Sequence, residues 1–190
     1  MKIEKDNLSP EQKRNVYVLI FIFILIIIAF FTYIKQGNQY KDKLLSENTE
    51  TTFCKVIGSS TYKTTQNHLE YNVNGKKYEI RPLSSRKFNI GEFYEIKYSK
   101  SKPEISQVDY TSPIIFDNED YELVDGVVTK TFENDRLSVL SFGYYYLHKK
   151  YERDVILEKI GELKNGNEIE ILVNKKKPKI SYLKEQIITD

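Results

Sequence analysis

Cys54 with His68 or His148 is the grouping in this sequence best suited to covalent chemistry, because a thiolate becomes abundant at neutral pH only beside a group such as an imidazole. The order of residues does not bring them together. Cys54 falls between Phe53 and Val56 in a β-like stretch, His68 precedes a strand, and His148 sits in a lysine-rich turn. Cys54 therefore reads as a small buried residue and the histidines as solvated. Two histidines eighty residues apart make a poor zinc site. One cysteine permits neither an intramolecular disulfide nor an all-cysteine metal site. Asp117, Glu119, Asp120 and Glu122 crowd together as calcium ligands do, but without a calcium loop's glycine and spacing they read as a solvated linker. No catalytic, cofactor-binding or metal-binding residue is assigned, and the chain reads as non-catalytic.

Two further clusters have binding rather than bond-making chemistry. Lys175-Lys176-Lys177-Pro178-Lys179 has a counterpart in Lys100-Ser101-Lys102-Pro103, so solvated turns explain both, with anionic lipid headgroups as the functional alternative. Tyr144, Tyr145 and Tyr146, with Phe142, place aromatic rings on both faces of a strand. One face packs the core, and the other is a candidate partner-binding patch.

The elements that must hold these residues divide sharply by composition. Mean hydropathy is −0.50 although one segment is intensely apolar, so the remainder faces water. Val16–Ile34 reads VYVLIFIFILIIIAFFTYI, without a charge between Arg14 and Lys35. As a helix these residues rise about 28 Å, against a hydrocarbon core of about 30 Å. Val16, Leu19, Ile20, Phe23, Ile27, Phe30 and Ile34 are assigned to the lipid bilayer, with Tyr17 and Tyr33 at its interfaces. The segment ends in Phe30-Phe31-Thr32-Tyr33-Ile34 and offers no small-residue cleavage site, so it reads as an uncleaved signal anchor. Lys2, Lys5, Lys13 and Arg14 outnumber Lys35, Lys41 and Lys43, which places the N-terminus in the cytoplasm and the polar region outside. That region balances its charges, and a nucleic-acid partner, which needs uncompensated basic surface, is not expected.

Tyr, Phe, Ile, Val and Thr abound while alanine occurs once, at Ala29, which tilts the polar part toward strands. Leu69–Val73, Asn74-Gly75 and Lys76–Ile80 spell a hairpin with a type I′ turn, pairing Tyr71 with Tyr78. GEFYEIKYSKSKPEISQV (91–108) and GNEIEILVNKKKPKISYL (166–183) agree at eight of eighteen positions, including Gly91 and Gly166, Pro103 and Pro178, Ser106 and Ser181. Opening strands fall around Phe53–Ile57 and Leu123–Thr129. The second unit's hairpin falls at Leu137–Leu147 and Tyr151–Leu157, joined near His148-Lys149-Lys150.

Tyr71-Asn72-Val73-Asn74-Gly75-Lys76-Lys77-Tyr78 and the Gly91…Ile96-Lys97-Tyr98…Pro103-Glu104-Ile105-Ser106 ending resemble the bacterial domain-of-unknown-function family 3592. The second unit matches at Gly126-Val127-Val128, Tyr151, Gly166, Ile169, Ile171, Val173, Pro178 and Ser181, although Lys100 and Lys175 stand near a usual proline. The resemblance implies small β-rich domains beside a membrane helix and no activity.

The expected fold is mainly β: one N-terminal transmembrane α-helix followed by two tandem small β-barrel or sandwich-like repeats. The expected layout is a tail at 1–14, the membrane helix at 15–35, a linker at 36–50, a first β repeat at 51–110, a linker at 111–120 and a second repeat at 121–190. The expected function is a single-pass interaction module of the bacterial cell envelope, in the inner membrane, contacting the lipid bilayer and an envelope protein partner. An immunity or inhibitor-type envelope protein and a membrane-tethered enzyme are the rival classes.

Overall fold

A computed structural model describes residues 9–84 and 86–187. Lys2 and Lys5, counted above for orientation, lie outside the described residues. The first element, α1 (Pro10–Ser46), begins on a capping box: the Ser9 hydroxyl accepts from Gln12 N–H and the Gln12 side chain accepts from Ser9 N–H. Proline at the first helical position costs nothing there, because its missing N–H would have had no intrahelical partner. The helix is long and apolar enough to cross a membrane, and its apolar stretch is wholly unburied by the rest of the chain. Val16, Leu19, Ile20, Phe23, Ile27, Phe30 and Ile34 are all exposed along it.

Residues 36–46, read from sequence as a linker with room for a turn or two of continued helix, carry this helix on to Ser46. A helix already nucleated extends cheaply through Lys, Gln and Leu, and Leu44 and Leu45 become half-buried where its end meets the β structure. Lys35–Ser46 adds about 18 Å of helix beyond the apolar run.

Two antiparallel sheets follow, one of them curled into a half-barrel. The first comprises β1 (Thr49–Thr61), β2 (Thr65–Val73), β3 (Lys76–Ile80), β4 (Leu83–Ser84), β5 (Phe93–Ser99) and β6 (Ser106–Pro113). Its order is β3-β2-β1-β5-β6, with β4 also on β2. The second comprises β7 (Tyr121–Asn134), β8 (Leu137–Tyr146), β9 (Lys149–Leu157), β10 (Glu168–Asn174) and β11 (Ser181–Leu183), in the order β11-β10-β7-β8-β9. Each sheet therefore has its long opening strand at the centre, a hairpin on one side and a closing strand pair on the other.

The correspondence extends to single hydrogen bonds. Pairing slips by a bulge at Val56/Gly58 in the first sheet and at Val128/Lys130 in the second. Tyr71 stacks on Tyr78 at 5.6 Å and Tyr144 on Tyr151 at 5.5 Å. The Tyr71 hydroxyl donates to the Pro103 carbonyl and the Tyr144 hydroxyl to that of Pro178. Gly91 (φ 100) donates to Val56 O at 2.8 Å, as Gly166 (φ 89) does to Val128 O at 2.8 Å. A left-handed backbone at these two points favours glycine. The shared glycines thus tie each closing strand pair to its opening strand, and the shared prolines tie it to its hairpin.

Asn74 (φ 51) and Gly75 (φ 77) make the left-handed pair of the first hairpin turn, as their types require. The second hairpin has the same conformation on unsuited residues, Leu147 (φ 49) and His148 (φ 62). The chain turns there because ten-residue β8 and nine-residue β9 pair continuously to its edge, so their ladder overrides local preference. The double substitution Leu147→Asn/His148→Gly should therefore stabilise the protein by roughly 1–2 kcal/mol. Thermal unfolding followed by far-UV circular dichroism should show a higher midpoint, and an unchanged one would mean that the turn carries no strain.

Candidate functional site

The structure keeps the covalent-chemistry candidates apart. Cys54 is fully buried on β1, facing Tyr71 and Tyr94 across the sheet, and its thiol donates to Tyr94 O at 3.5 Å. Burial pushes it up from 9.0 to about 12, so it stays protonated at neutral pH. The corresponding residue in the second sheet is Gly126, where a Cβ would lie 2.1 Å from Ile171 Cδ1. Both positions are small for packing. His68 lies opposite Gly58, with Nε2 3.0 Å from Ser60 Oγ, and His148 sits in the turn of the other sheet. Among the described residues no three His, Cys, Asp or Glu side chains converge as a metal site would need.

The acidic stretch and the lysine turn, both read as solvated, find each other across more than fifty residues. Asp117 caps the short 3-10 turn Asn118–Asp120 through Glu119 N–H. Lys175 Nζ donates to Glu119 O at 2.7 Å, Lys176 Nζ pairs with Asp120 at 2.7 Å, and Glu122 accepts from the Tyr146 hydroxyl at 3.0 Å. Strand alternation decides the tyrosine patch: Tyr144 and Tyr146 point into the core and only Tyr145, 67% exposed, faces water. The three cannot form one partner-binding face. An exposed aromatic cluster lies elsewhere, where Phe53, Phe93 and Phe116 meet edge to face with centroids 4.8–6.2 Å apart. Phe53 and Phe116 are 46% and 59% exposed.

Sequence reading missed the most unusual chemistry, which is at the junction of the sheets. Glu92, at the foot of β5, and Arg153, in the middle of β9, are 1% and 7% exposed. The Arg153 fork meets both carboxylate oxygens, Nη1 to Oε1 at 2.7 Å and Nη2 to Oε2 at 2.9 Å. Asn89 donates its backbone N–H and side-chain amide to Oε1 at 3.0 and 2.6 Å, and the Tyr94 hydroxyl donates to Oε2. Burial works against the Arg153 charge, but Glu92, Tyr94 and Tyr182 together hold the guanidinium above its usual range. Burial and then the Glu92 charge push the Tyr94 and Tyr182 phenols well above theirs. This buried pair docks the two sheets against each other. Asn89 Nδ2 to Lys179 O (3.0 Å) and Arg86 to Asp154 (3.1 Å) reinforce the seam.

No protein-family model matches the chain, and neither curated proteins nor solved structures yield a match to it.

Removing one partner strands a buried charge, so Glu92→Ala should cost roughly 3–5 kcal/mol in chemical denaturation. The paired replacement Glu92→Leu/Arg153→Met should recover most of that loss, and an equally unstable double variant would mean the ion pair is irreplaceable. Above pH 9 the unfolded Cys54 releases a proton that the folded chain holds until about pH 12. Stability should therefore fall as pH rises through that window, less steeply in Cys54→Ala. Denaturation midpoints across the window measure this, and identical slopes for both proteins would refute a buried thiol.

Proposed function

We propose that the chain is a single-pass membrane protein acting as a non-catalytic interaction module of the bacterial cell envelope. In this reading α1 anchors it with the N-terminus in the cytoplasm, and the sheets face a protein partner outside. The observation that carries the reading is the division of labour among side chains. The apolar run of α1 contacts nothing in its own chain, and the carboxylates, lysines and tyrosines singled out for chemistry are largely engaged in packing or pairing. The exposed Phe53, Phe93 and Phe116 cluster supports a contact surface in place of the buried tyrosines.

The shared strand order, bulge, glycine turn and tyrosine-to-proline contact support reading the sheets as two divergent tandem copies of one unit. The proposed kinship with domain-of-unknown-function family 3592 rests on the Tyr71–Tyr78 motif and the Gly91…Ser106 ending.

Crosslinking in cells followed by purification in mild detergent tests the module. A discrete partner should be captured by the intact chain and lost from Phe53→Ser/Phe116→Ser, whereas a protein recovered alone and monomeric would argue against it. Protease protection tests the topology: the sheets should be digested from the outer side of intact cells, and a protected C-terminal region would reverse the orientation.

A further inference from the structure

The β4–β5 loop, β9 and the β10–β11 turn line an open groove of about 740 Å³ beside the junction. That volume falls within the roughly 300–1,000 Å³ of small-molecule sites. Its walls carry six cations, Arg86, Lys87, Lys149, Lys150, Arg153 and Lys179, against the carboxylates of Glu152 and Asp154. Three cations are already neutralised: Arg153 by Glu92 at 2.7 Å, Arg86 by Asp154 at 3.1 Å and Lys150 by Glu152 at 2.9 Å. Lys87, Lys149 and Lys179 are exposed and make no ion pair among the described residues. Arg153, more than nine-tenths buried, also has an Nε–H with no partner.

We propose that this groove is a binding site for phosphate-bearing anions. The Arg153 fork, which would suit carboxylate or phosphate alike, is taken by Glu92, and Arg86 is paired with Asp154 through Nε. What remains is a set of lysine point charges, which suits the diffuse, multiple charge of phosphates.

The position of the groove selects the source. Lys100 N–H donates to Asn48 O, and Lys102 Nζ lies 5.1 Å from the Tyr40 ring centroid, so the β5–β6 turn sits at the end of α1. The groove is at the opposite end of β5, about 20 Å away for a seven-residue strand. With about 18 Å of helix beyond the apolar run, it stands up to about 40 Å from that run. That separation favours a phosphate-bearing molecule or polymer in the aqueous phase over a headgroup of the bilayer holding the anchor.

The test uses the full chain in phosphatidylcholine nanodiscs, titrated calorimetrically with sodium tripolyphosphate. Saturable one-site binding is expected, weakened about tenfold or more in Lys87→Gln/Lys149→Gln/Lys179→Gln, which loses three favourable charges. The matched variant Lys55→Gln/Lys97→Gln/Lys130→Gln, altered away from the groove, should bind as the parent does. Glu152→Gln removes an opposing charge and frees Lys150, so it should tighten binding about threefold, giving a reading that survives if the triple variant fails to fold. Phosphatidylglycerol nanodiscs should leave the affinity for tripolyphosphate unchanged. No binding, equal weakening by both triple variants, no gain in Glu152→Gln, or competition by phosphatidylglycerol would each overturn the proposal.

Discussion

The two sheets become one body through a carboxylate and a guanidinium hidden from water at their seam. Taking both charges out of water costs several kcal/mol per ion, and the attraction between them repays this only when the geometry is good and remaining lone pairs are filled. Here the fork is bidentate, and Asn89 and Tyr94 occupy the rest of the carboxylate. An ion pair of this kind is demanding about position, which an apolar patch is not. Any slip of β9 against the foot of β5 would leave both ions unpaired, so the pair sets the angle between sheets that share no strand.

The residues that join the sheets are those at which their correspondence breaks. Glu92 aligns with Asn167 and Arg153 with Ile80, whereas the glycines, prolines and tyrosines that hold each sheet together align with one another. Most shared residues serve their own sheet, whereas Glu92 and Arg153 make the arrangement directional. The second sheet's Lys175–Lys179 turn rests on the first sheet's 86–92 loop, as the Lys100–Lys102 turn rests on the end of α1. Helix, first sheet and second sheet are thus stacked in chain order.

Much of this was legible from residue types and spacing. The uncharged run Val16–Ile34 has one comfortable conformation, and Asn74-Gly75 has one turn to make, so both were readable locally. The alternating residues of β5 and β10 announced strands, and the common Gly-to-Pro interval announced matching closing turns. Tertiary effects were harder. Leu147-His148 contains no local sign of a left-handed turn, because the paired strands impose it. Residues 36–46 lack apolar periodicity of their own and are helical by continuation. Glu92 and Arg153 look like ordinary surface charges, and nothing in a single sequence indicates that residues sixty-one apart will share a buried site. A weak hint was available in the departures from the internal match, where a charged residue replaces a neutral one.

The unbroken course of α1 from its apolar run to the first sheet gives the chain a stiff stalk instead of a tether. Gly37 aside, nothing in Lys35–Ser46 invites a bend, and Leu44 and Leu45 fix the upper end against the strands. Tilt of the lower part would be transmitted upward as tilt of the whole stack, as through a lever. In the proposed anchored state, bilayer thickness, which sets how far such a helix leans, would then also set the direction in which the far face of the second sheet looks.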